Sequence, residues 1–435
     1  MTVETVDYRE IRLTSAEDPL TLMARLARSG LYDQYTVYEN GPEWSYAGGT
    51  LATLRLGHEV CRTGSAGSLA AVEDWLAALP VTGWRVYGWA AFELGAALAG
   101  VRLSDADGDG TLLHLVVPHV EVRVGGGRLL LRATDPDRLE QLVQLVGAPS
   151  ETGGPEPTER ISVPLDDAGG YRDAVAAALN ALRGPGPLTK VILSRRVAVP
   201  VPLDLTATYV AGRRANTPAR SFLLSLGGIR AAGFSPETVA EVTGDRRVVS
   251  RPLAGTRART GSPDEDARLR ADLLGDPKEV HEHAISVKLA LEDLALVCDD
   301  TYTAEYMTVE ERGTVQHLAS TVVGRLRDDR TPWQAFAALF PAVTATGIPK
   351  TPAYDLIRAL EGRPRGLYAG AVLTYDAAGT LDAALVLRSV FQQDGHCWLQ
   401  AGAGIVQQSH PTREHEETCE KLRSIAGHLV PMPEG

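Results

Sequence analysis

The sequence predicts an α+β fold in which large antiparallel sheets pack together, with helices on the outside. Short runs typical of β-strands come in pairs around turn residues, as at Asn40-Gly41 and Gly125-Gly126-Gly127. Segments with helical periodicity lie between these hairpins. The regular strand–helix–strand rhythm of a parallel sheet is missing, which favours antiparallel sheets.

Composition limits the possible partners. The chain has 435 residues, 44% of them hydrophobic, and a formal net charge of −12. This charge argues against nucleic acid or an anionic membrane as a partner, and an anionic substrate would need a cation or local arginine and lysine. No apolar run reaches the roughly 18 residues of a membrane span. The N-terminus also lacks the basic and apolar regions of a signal peptide.

The cysteines indicate the compartment. Cys61, Cys298, Cys397 and Cys419 are scattered, without a C-x-x-C pair or another metal-binding spacing. Free thiols are typical of a reducing compartment. We therefore expect a cytoplasmic protein, and we expect it to be monomeric.

A stretch rich in proline, glycine and glutamate, residues 148–159, is the best candidate for a linker. It would separate an N-terminal subdomain, residues 1–150, from a larger region, residues 160–435. We expect the first part to be a scaffold within the same fold, because it carries no catalytic motif. Its predicted elements are helices at residues 70–79 and 138–146 and strands at residues 113–124 and 128–133.

The larger region alternates helices with hairpins. Gly184-Pro185 ends its first helix, Pro277 begins a later one, and Gly244-Asp245 forms a hairpin turn. The predicted helices are residues 171–182, 263–274, 277–296 and 333–340. The predicted strands are residues 190–201, 221–226, 239–242, 247–249, 367–375, 381–391 and 397–401, with two more near Met307 and Val315.

Carboxylates recur at helical spacing in two of these segments. At about 100° per residue, Glu414, Glu417 and Lys421 share one face of the last helix. Glu279 and Glu282 repeat the spacing on the helix that begins at Pro277. Two such helices could hold a hard divalent cation between them.

Simpler explanations account for the same spacings. Glu417 and Lys421 also form an ordinary i, i+4 surface ion pair. Asp276 is a candidate N-cap with Pro277 at the first helical position, and Glu279 would then be a capping carboxylate.

Two further side chains suit acid–base chemistry. Lys190 opens an apolar strand, where desolvation would lower its pKa and make it a usable base, although a strand-end lysine also reaches water easily. Glu237 follows a strand in a Phe-Ser-Pro-Glu turn, as a partly buried acid or as a cap.

Other residues suit an anion. Residues 252–257, Pro-Leu-Ala-Gly-Thr-Arg, predict a tight turn with backbone donors. Arg388 lies at the end of one strand and Tyr368 at the start of another. Pointing inward from neighbouring strands they would clamp a carboxylate, and either could equally lie at the edge of the core.

Together these segments resemble the chorismate-utilising enzymes, most closely the salicylate synthases of mycobactin-type siderophore pathways. The resemblance is dense over residues 170–428 and loose over the first 150. It rests on the segments 190–195, 233–237, 252–257, 278–287, 315–318, 339–350, 364–368 and 416–422.

The resemblance implies a single chorismate-binding fold that uses Mg²⁺. Lys190 would be the base that activates water for attack at ring C2, and Glu237 the acid for the departing C4 hydroxyl. Glu282 and Glu417 would hold Mg²⁺, with Glu279 and Glu414 nearby. The substrate-binding residues would be Gly255, Thr256, His317, Thr344, Tyr368, Arg388, Gly402 and Lys421.

Single positions argue against the amine-using members of the family, whereas only overall likeness favours a salicylate synthase over an isochorismate synthase. Lys190 favours water as the nucleophile, and Ala254 argues against aminodeoxychorismate synthases that carry a lysine there. The predicted activity is that of a salicylate synthase, with isochorismate synthase and isochorismate pyruvate-lyase steps. An isochorismate synthase, or an anthranilate-type subunit dependent on an amidotransferase, is the alternative. Arg251 departs from the glutamate expected beside the pocket.

Overall fold

The computed structural model describes residues 6–57, 69–101, 110–148, 160–167, 169–313 and 315–433. Within these residues the strands form an 11-stranded sheet and a 10-stranded sheet. All of the strand pairings are antiparallel. The predicted α+β fold with large antiparallel sheets is confirmed.

The strands are numbered here in chain order. They are β1 (Arg9–Thr14), β2 (Tyr35–Asn40), β3 (Glu43–Gly48), β4 (Ala52–Gly57), β5 (Arg85–Ala90), β6 (Thr111–Val117), β7 (Val120–Gly125), β8 (Arg128–Ala133), β9 (Lys190–Val199), β10 (Arg220–Leu226), β11 (Ile229–Ser235), β12 (Thr238–Val242), β13 (Arg247–Ser250), β14 (Leu253–Ala258), β15 (Cys298–Arg312), β16 (Val315–Leu326), β17 (Gly347–Ile348), β18 (Ala371–Asp376), β19 (Leu381–Leu385), β20 (Ser389–Gln393) and β21 (His396–Ile405).

The helices are numbered in the same way. They are α1 (Pro19–Arg28), α2 (Ala70–Ala77), α3 (Phe92–Leu98), α4 (Pro136–Gly147), α5 (Tyr171–Arg183), α6 (Leu205–Ala215), α7 (Pro263–Gly275), α8 (Pro277–Ala295), α9 (Pro332–Leu339), α10 (Lys350–Glu361) and α11 (Pro411–Ala426), with a 3₁₀ turn at Val343–Ala345. In the described part of the chain, no helix is both long enough and apolar enough to cross a membrane.

Both sheets draw strands from the two ends of the chain. The larger sheet has the order β1-β8-β7-β3-β2-β10-β11-β20-β21-β9-β17. The smaller has the order β14-β16-β13-β12-β19-β18-β5-β6-β4, and β15 also pairs with β16. Residues before and after position 150 therefore meet at the β2–β10 and β5–β18 pairs. Of the predicted linker, residues 149–159 lie outside the described residues.

The larger sheet is buried on both faces at its central strand β10. In β10, Phe222 and Leu224 belong to a core cluster that also includes Leu373 of the smaller sheet. Leu223, between them, belongs to a second cluster that includes Leu422 of α11. This alternation is that of a strand whose side chains point to opposite faces. One core therefore lies between the sheets and another under outer helices.

Three predicted strands are wrong in extent. Residues 381–391 form two strands, β19 and β20, which belong to different sheets. Both are buried on each face, so no polar alternation marks the crossing between them. Residues 113–124 are likewise divided between β6 and β7, and the strand predicted from residue 367 begins only at Ala371. The remaining predicted helices and strands are confirmed to within a few residues.

The cysteines agree with the expectation of free thiols where the structure describes them. Cys298, Cys397 and Cys419 are buried and free. Cys61 lies outside the described residues.

Candidate active site

The candidate site lies where the chain crosses between the two sheets. Glu237 lies between β11 and β12, and Arg388 lies in the returning segment between β19 and β20. The two crossings are hydrogen-bonded, because the Leu385 amide donates to the Glu237 carbonyl and the Phe234 amide donates to the Arg388 carbonyl, each at 3.1 Å. These hydrogen bonds place the Glu237 carboxyl group and the Arg388 guanidinium at the same crossing between the sheets.

A cavity at this crossing brings together most of the predicted site residues. Glu282 and Glu417 line it, whereas Glu279 and Glu414 are not among the described residues on its wall. The predicted catalytic and substrate-binding residues that line it are Lys190, Glu237, Gly255, Thr256, His317, Thr344, Tyr368, Arg388, Gly402 and Lys421.

Two buried ionisable groups line the cavity. Glu237 is 3% exposed and accepts a hydrogen bond of 2.7 Å from the Thr344 hydroxyl. Burial raises the pKa of Glu237 to about 8, so its carboxyl group is protonated at neutral pH and can act as an acid. Lys190 is also 3% exposed, and its Nζ lies 2.6 Å from Oε1 of Glu282.

Arg388 is a buried cation without a carboxylate partner among the described residues. It contacts Nε2 of His317. Because a guanidinium only donates, this nitrogen accepts, and Nδ1 of the neutral imidazole carries the hydrogen. Burial and the charge of Arg388 hold the pKa of His317 well below its usual range. Nδ1 therefore donates to the Thr256 hydroxyl (3.0 Å) and faces the Gly255 carbonyl oxygen (3.4 Å).

Arg388 and Tyr368 do not lie on neighbouring strands as predicted. Arg388 adopts a φ of +48° between strands, and Tyr368 lies in the turn before β18. Both side chains nevertheless reach the same cavity. A Cβ atom at Gly402 would lie 3.1 Å from the Tyr368 hydroxyl and 2.7 Å from the Leu193 carbonyl oxygen, so this wall requires glycine.

The predicted turn at residues 252–257 is instead a bulged strand. Within β14 the pairing with β16 shifts between Ala254 and Thr256. Gly255 at the bulge has a φ of +85°, a conformation that favours glycine. A Cβ atom there would lie 3.0 Å from Oε2 of Glu279, so the bulge packs directly against the α8 carboxylate.

The four carboxylates predicted to surround a metal converge from α8 and α11. Each is paired with a cation: Glu282 with Lys190 (2.6 Å), Glu417 with Lys421 (2.8 Å), Glu414 with Lys278 (3.2 Å) and Glu279 with Arg257 (3.2 Å). As they stand, the described residues offer no group of three or more His, Cys, Asp or Glu side chains ready to hold a metal ion.

The donor set nevertheless fits a hard cation. Oε2 of Glu414 is buried without a hydrogen-bond partner in the described residues. Burial and the Glu417 carboxylate raise the pKa of Glu414, and burial and the Glu282 carboxylate raise that of Glu279. Lys421 holds the pKa of Glu417 below its usual range despite burial. A divalent cation would relieve this repulsion between oxygen ligands, the kind that Mg²⁺ prefers.

The simpler explanations of the helix spacings hold in part. Asp276 is the N-cap of α8, accepting from the amides of Lys278 (2.9 Å) and Glu279 (3.4 Å). The Glu279 side chain accepts from Arg257 instead of serving as a cap. Glu417 and Lys421 do form an i, i+4 pair, but with side chains only 18% and 27% exposed.

Sequence reasoning missed two cations beside the carboxylates. Arg257 donates to Glu279 and to the carbonyl of Thr256 (2.9 Å), so it links α8 to the bulged strand. Lys278 precedes Glu279 and reaches across to α11. Both cations are sequence neighbours of predicted site residues, and this proximity was the signal that could have identified them.

The departure at Arg251 lies outside the cavity. Its side chain is 43% exposed, and its Nε lies 3.8 Å from the Glu241 carboxylate. Arg251 is not among the described residues that line the cavity.

Known proteins resemble this chain over most of its length. Residues 34–427 match the family described as chorismate binding enzyme. Salicylate synthase from Mycolicibacterium paratuberculosis is 41% identical over 431 residues, which cover 95% of this chain and 94% of that protein. Anthranilate synthase component 1 from Thermus thermophilus is 38% identical over 330 residues, covering 72% of this chain and 66% of that protein. The structure of MenF, the menaquinone-specific isochorismate synthase from Escherichia coli, shares the fold, with a TM-score of 0.75, 22% identity, and coverage of 98% of this chain and 95% of that one.

Proposed function

Because this chain belongs to the family of chorismate-binding enzymes, we propose that it is a salicylate synthase, which converts chorismate through isochorismate to salicylate and pyruvate. One observation carries the proposal. A single cavity is lined by a buried amine, Lys190, a buried carboxyl group that is protonated at neutral pH, Glu237, and a buried guanidinium, Arg388, that has no carboxylate partner in the described part of the chain. The 41% identity with a salicylate synthase supports this choice of product.

The first step exchanges a hydroxyl group between two ring positions. Water adds at C2 while the C4 hydroxyl departs, so one group must take a proton and another must supply one. We assign to Lys190 the removal of a proton from the attacking water. Glu237, protonated at neutral pH, gives its proton to the leaving hydroxyl. Because Lys190 and Glu237 lie in different environments, one can accept a proton and the other can donate one in the same displacement.

The second step needs less from the protein. The C2 hydrogen of isochorismate moves to the departing enolpyruvyl group, which leaves as pyruvate while the ring becomes salicylate. This transfer runs within the substrate, so the cavity has to hold the reactive conformer. Arg388 and Tyr368 would bind the enolpyruvyl carboxylate together with the backbone at Gly402. Thr256, which His317 contacts at 3.0 Å, would offer its hydroxyl hydrogen to the ligand.

We propose that the enzyme also binds a magnesium ion. Glu282 and Glu417, which line the cavity, would hold it, and Glu279 and Glu414 would lie behind them. When bound, Mg²⁺ would neutralise and orient the ring carboxylate of a dianionic substrate. Lys190 favours water over ammonia as the nucleophile, so we further propose that the enzyme acts without an amidotransferase partner.

Product identification tests the proposal. The purified protein is incubated with chorismate and Mg²⁺, and the products are separated by chromatography. Salicylate and pyruvate in equal amounts are expected, and EDTA should abolish both. Isochorismate as the final product would support the alternative isochorismate synthase. Anthranilate formed only with ammonia would support the amidotransferase-dependent alternative.

A further inference from the structure

We call Glu279, Glu282, Glu414 and Glu417 the acidic cluster. Lys278 differs in its contacts from the other three cations beside this cluster. Lys190 and Lys421 line the cavity, and Arg257 also binds Asp272 and Asp276, at 2.6 Å each. Lys278 is not among the described residues that line the cavity. Within the described residues its Nζ has the single ion-pair partner Glu414. It sits on α8 and its partner on α11, so it bridges the two helices that carry the cluster.

The partner of Lys278 is a buried carboxylate that contacts the lysine through one of its two oxygens. The side chain of Glu414 is 1% exposed. Its Oε1 accepts from Lys278 at 3.2 Å, whereas its Oε2 is buried without a hydrogen-bond partner in the described part of the chain. A carboxylate held in this way is turned toward a lysine and is not free to serve as a bidentate ligand. Without Lys278, the cluster would have one more unneutralised charge and one more available ligand.

We propose that Lys278 is a positioning residue that sets the affinity and selectivity of the divalent cation site by holding Glu414 back from the ion. The inference rests on the metal site of the proposed function. Mg²⁺ keeps several waters and takes few carboxylates, whereas Ca²⁺ takes six to eight oxygen ligands. A lysine that withholds one carboxylate therefore favours Mg²⁺ over Ca²⁺ and weakens the binding of both.

Calorimetric titration of the full chain, stripped of metal with EDTA and dialysed, tests this inference. Lys278→Met should tighten Mg²⁺ binding by roughly tenfold, the order expected for removing one nearby charge, and should tighten Ca²⁺ binding by more. Lys288→Met is the matched control, because Lys288 lies on the same helix with a 73% exposed side chain. The control should leave both dissociation constants within about twofold of the wild type.

A double-mutant cycle separates this role from direct metal binding by Glu414. Glu414→Gln alone leaves Lys278 unpaired and should weaken Mg²⁺ binding, which can be measured even if Lys278→Met does not fold. Combining it with Lys278→Met should restore wild-type affinity, because both charges are removed. Equal Mg²⁺ affinity in Lys278→Met and Lys288→Met, or unchanged affinity in Glu414→Gln, would overturn this inference alone. A wild type that binds neither ion would overturn the metal site as well.

Discussion

The Thr344 hydroxyl donates a 2.7 Å hydrogen bond to Oε1 of Glu237, the buried carboxyl group at the crossing between the two sheets. Burial raises the pKa of Glu237 to about 8, and this hydrogen bond opposes the shift because it favours the charged form. The pair therefore sets the pH up to which the carboxyl group can donate a proton.

The pH dependence of chorismate turnover should follow this pair. A required acid loses activity as pH rises through its pKa, so kcat/KM should fall above about pH 8. Thr344→Val removes a bond that lowers the pKa, and the alkaline limb should move upward by up to about one unit. The comparison is a pH–rate profile of both proteins. A limb that stays in place or moves downward would show that Glu237 does not cause it.

Removing the guanidinium of Arg388 should harm catalysis without harming the fold. Arg388→Met deletes a buried charge that has no carboxylate partner among the described residues, so the unfolding temperature should equal or exceed that of the wild type. The activation free energy given by kcat/KM should rise by about 2–5 kcal/mol, the usual cost of losing a desolvated charge pair with a ligand. Thermal unfolding and initial rates are measured on the same preparation. An unchanged kcat/KM would place Arg388 outside the substrate site.

Glu282 and Glu417 should be required for metal-dependent turnover. Glu282→Gln or Glu417→Gln removes an anionic oxygen ligand while keeping the side-chain shape, so activity should be lost with circular dichroism unchanged. Glu416→Gln, on α11 but with a 60% exposed side chain, is the matched control and should keep full activity. Wild-type turnover that persists in excess EDTA would argue against the metal site altogether.

The helix faces were predictable from the sequence because helical spacing is fixed. Glu414, Glu417 and Lys421 share the predicted face, and Glu417 and Lys421 pair at 2.8 Å. The cationic partners of the other carboxylates were not predictable. Lys278 meets Glu414 across 136 positions of sequence, a contact that only the packing of α8 against α11 creates.

The crossing between the sheets was hidden for a different reason. The residues around Arg388 are buried on both sides of the chain, so one strand and two strands give the same apolar pattern. The sequence predicts a turn at Gly255 where the structure has a bulge, because a glycine with positive φ occurs in both. At both places the sequence predicts the residue types that line the cavity. It does not predict the backbone conformation that positions them.

We propose that one cavity performs both reactions and that Glu237 supplies a proton only to the first. Glu237→Gln keeps the shape and a hydrogen-bond donor but has no carboxylic proton to give. The decisive measurement supplies this variant with chorismate and with isochorismate in parallel and follows salicylate fluorescence. We expect no salicylate from chorismate and near wild-type conversion of isochorismate. Loss of both conversions in a folded variant that still binds Mg²⁺ would contradict the assignment of Glu237 to the first reaction alone.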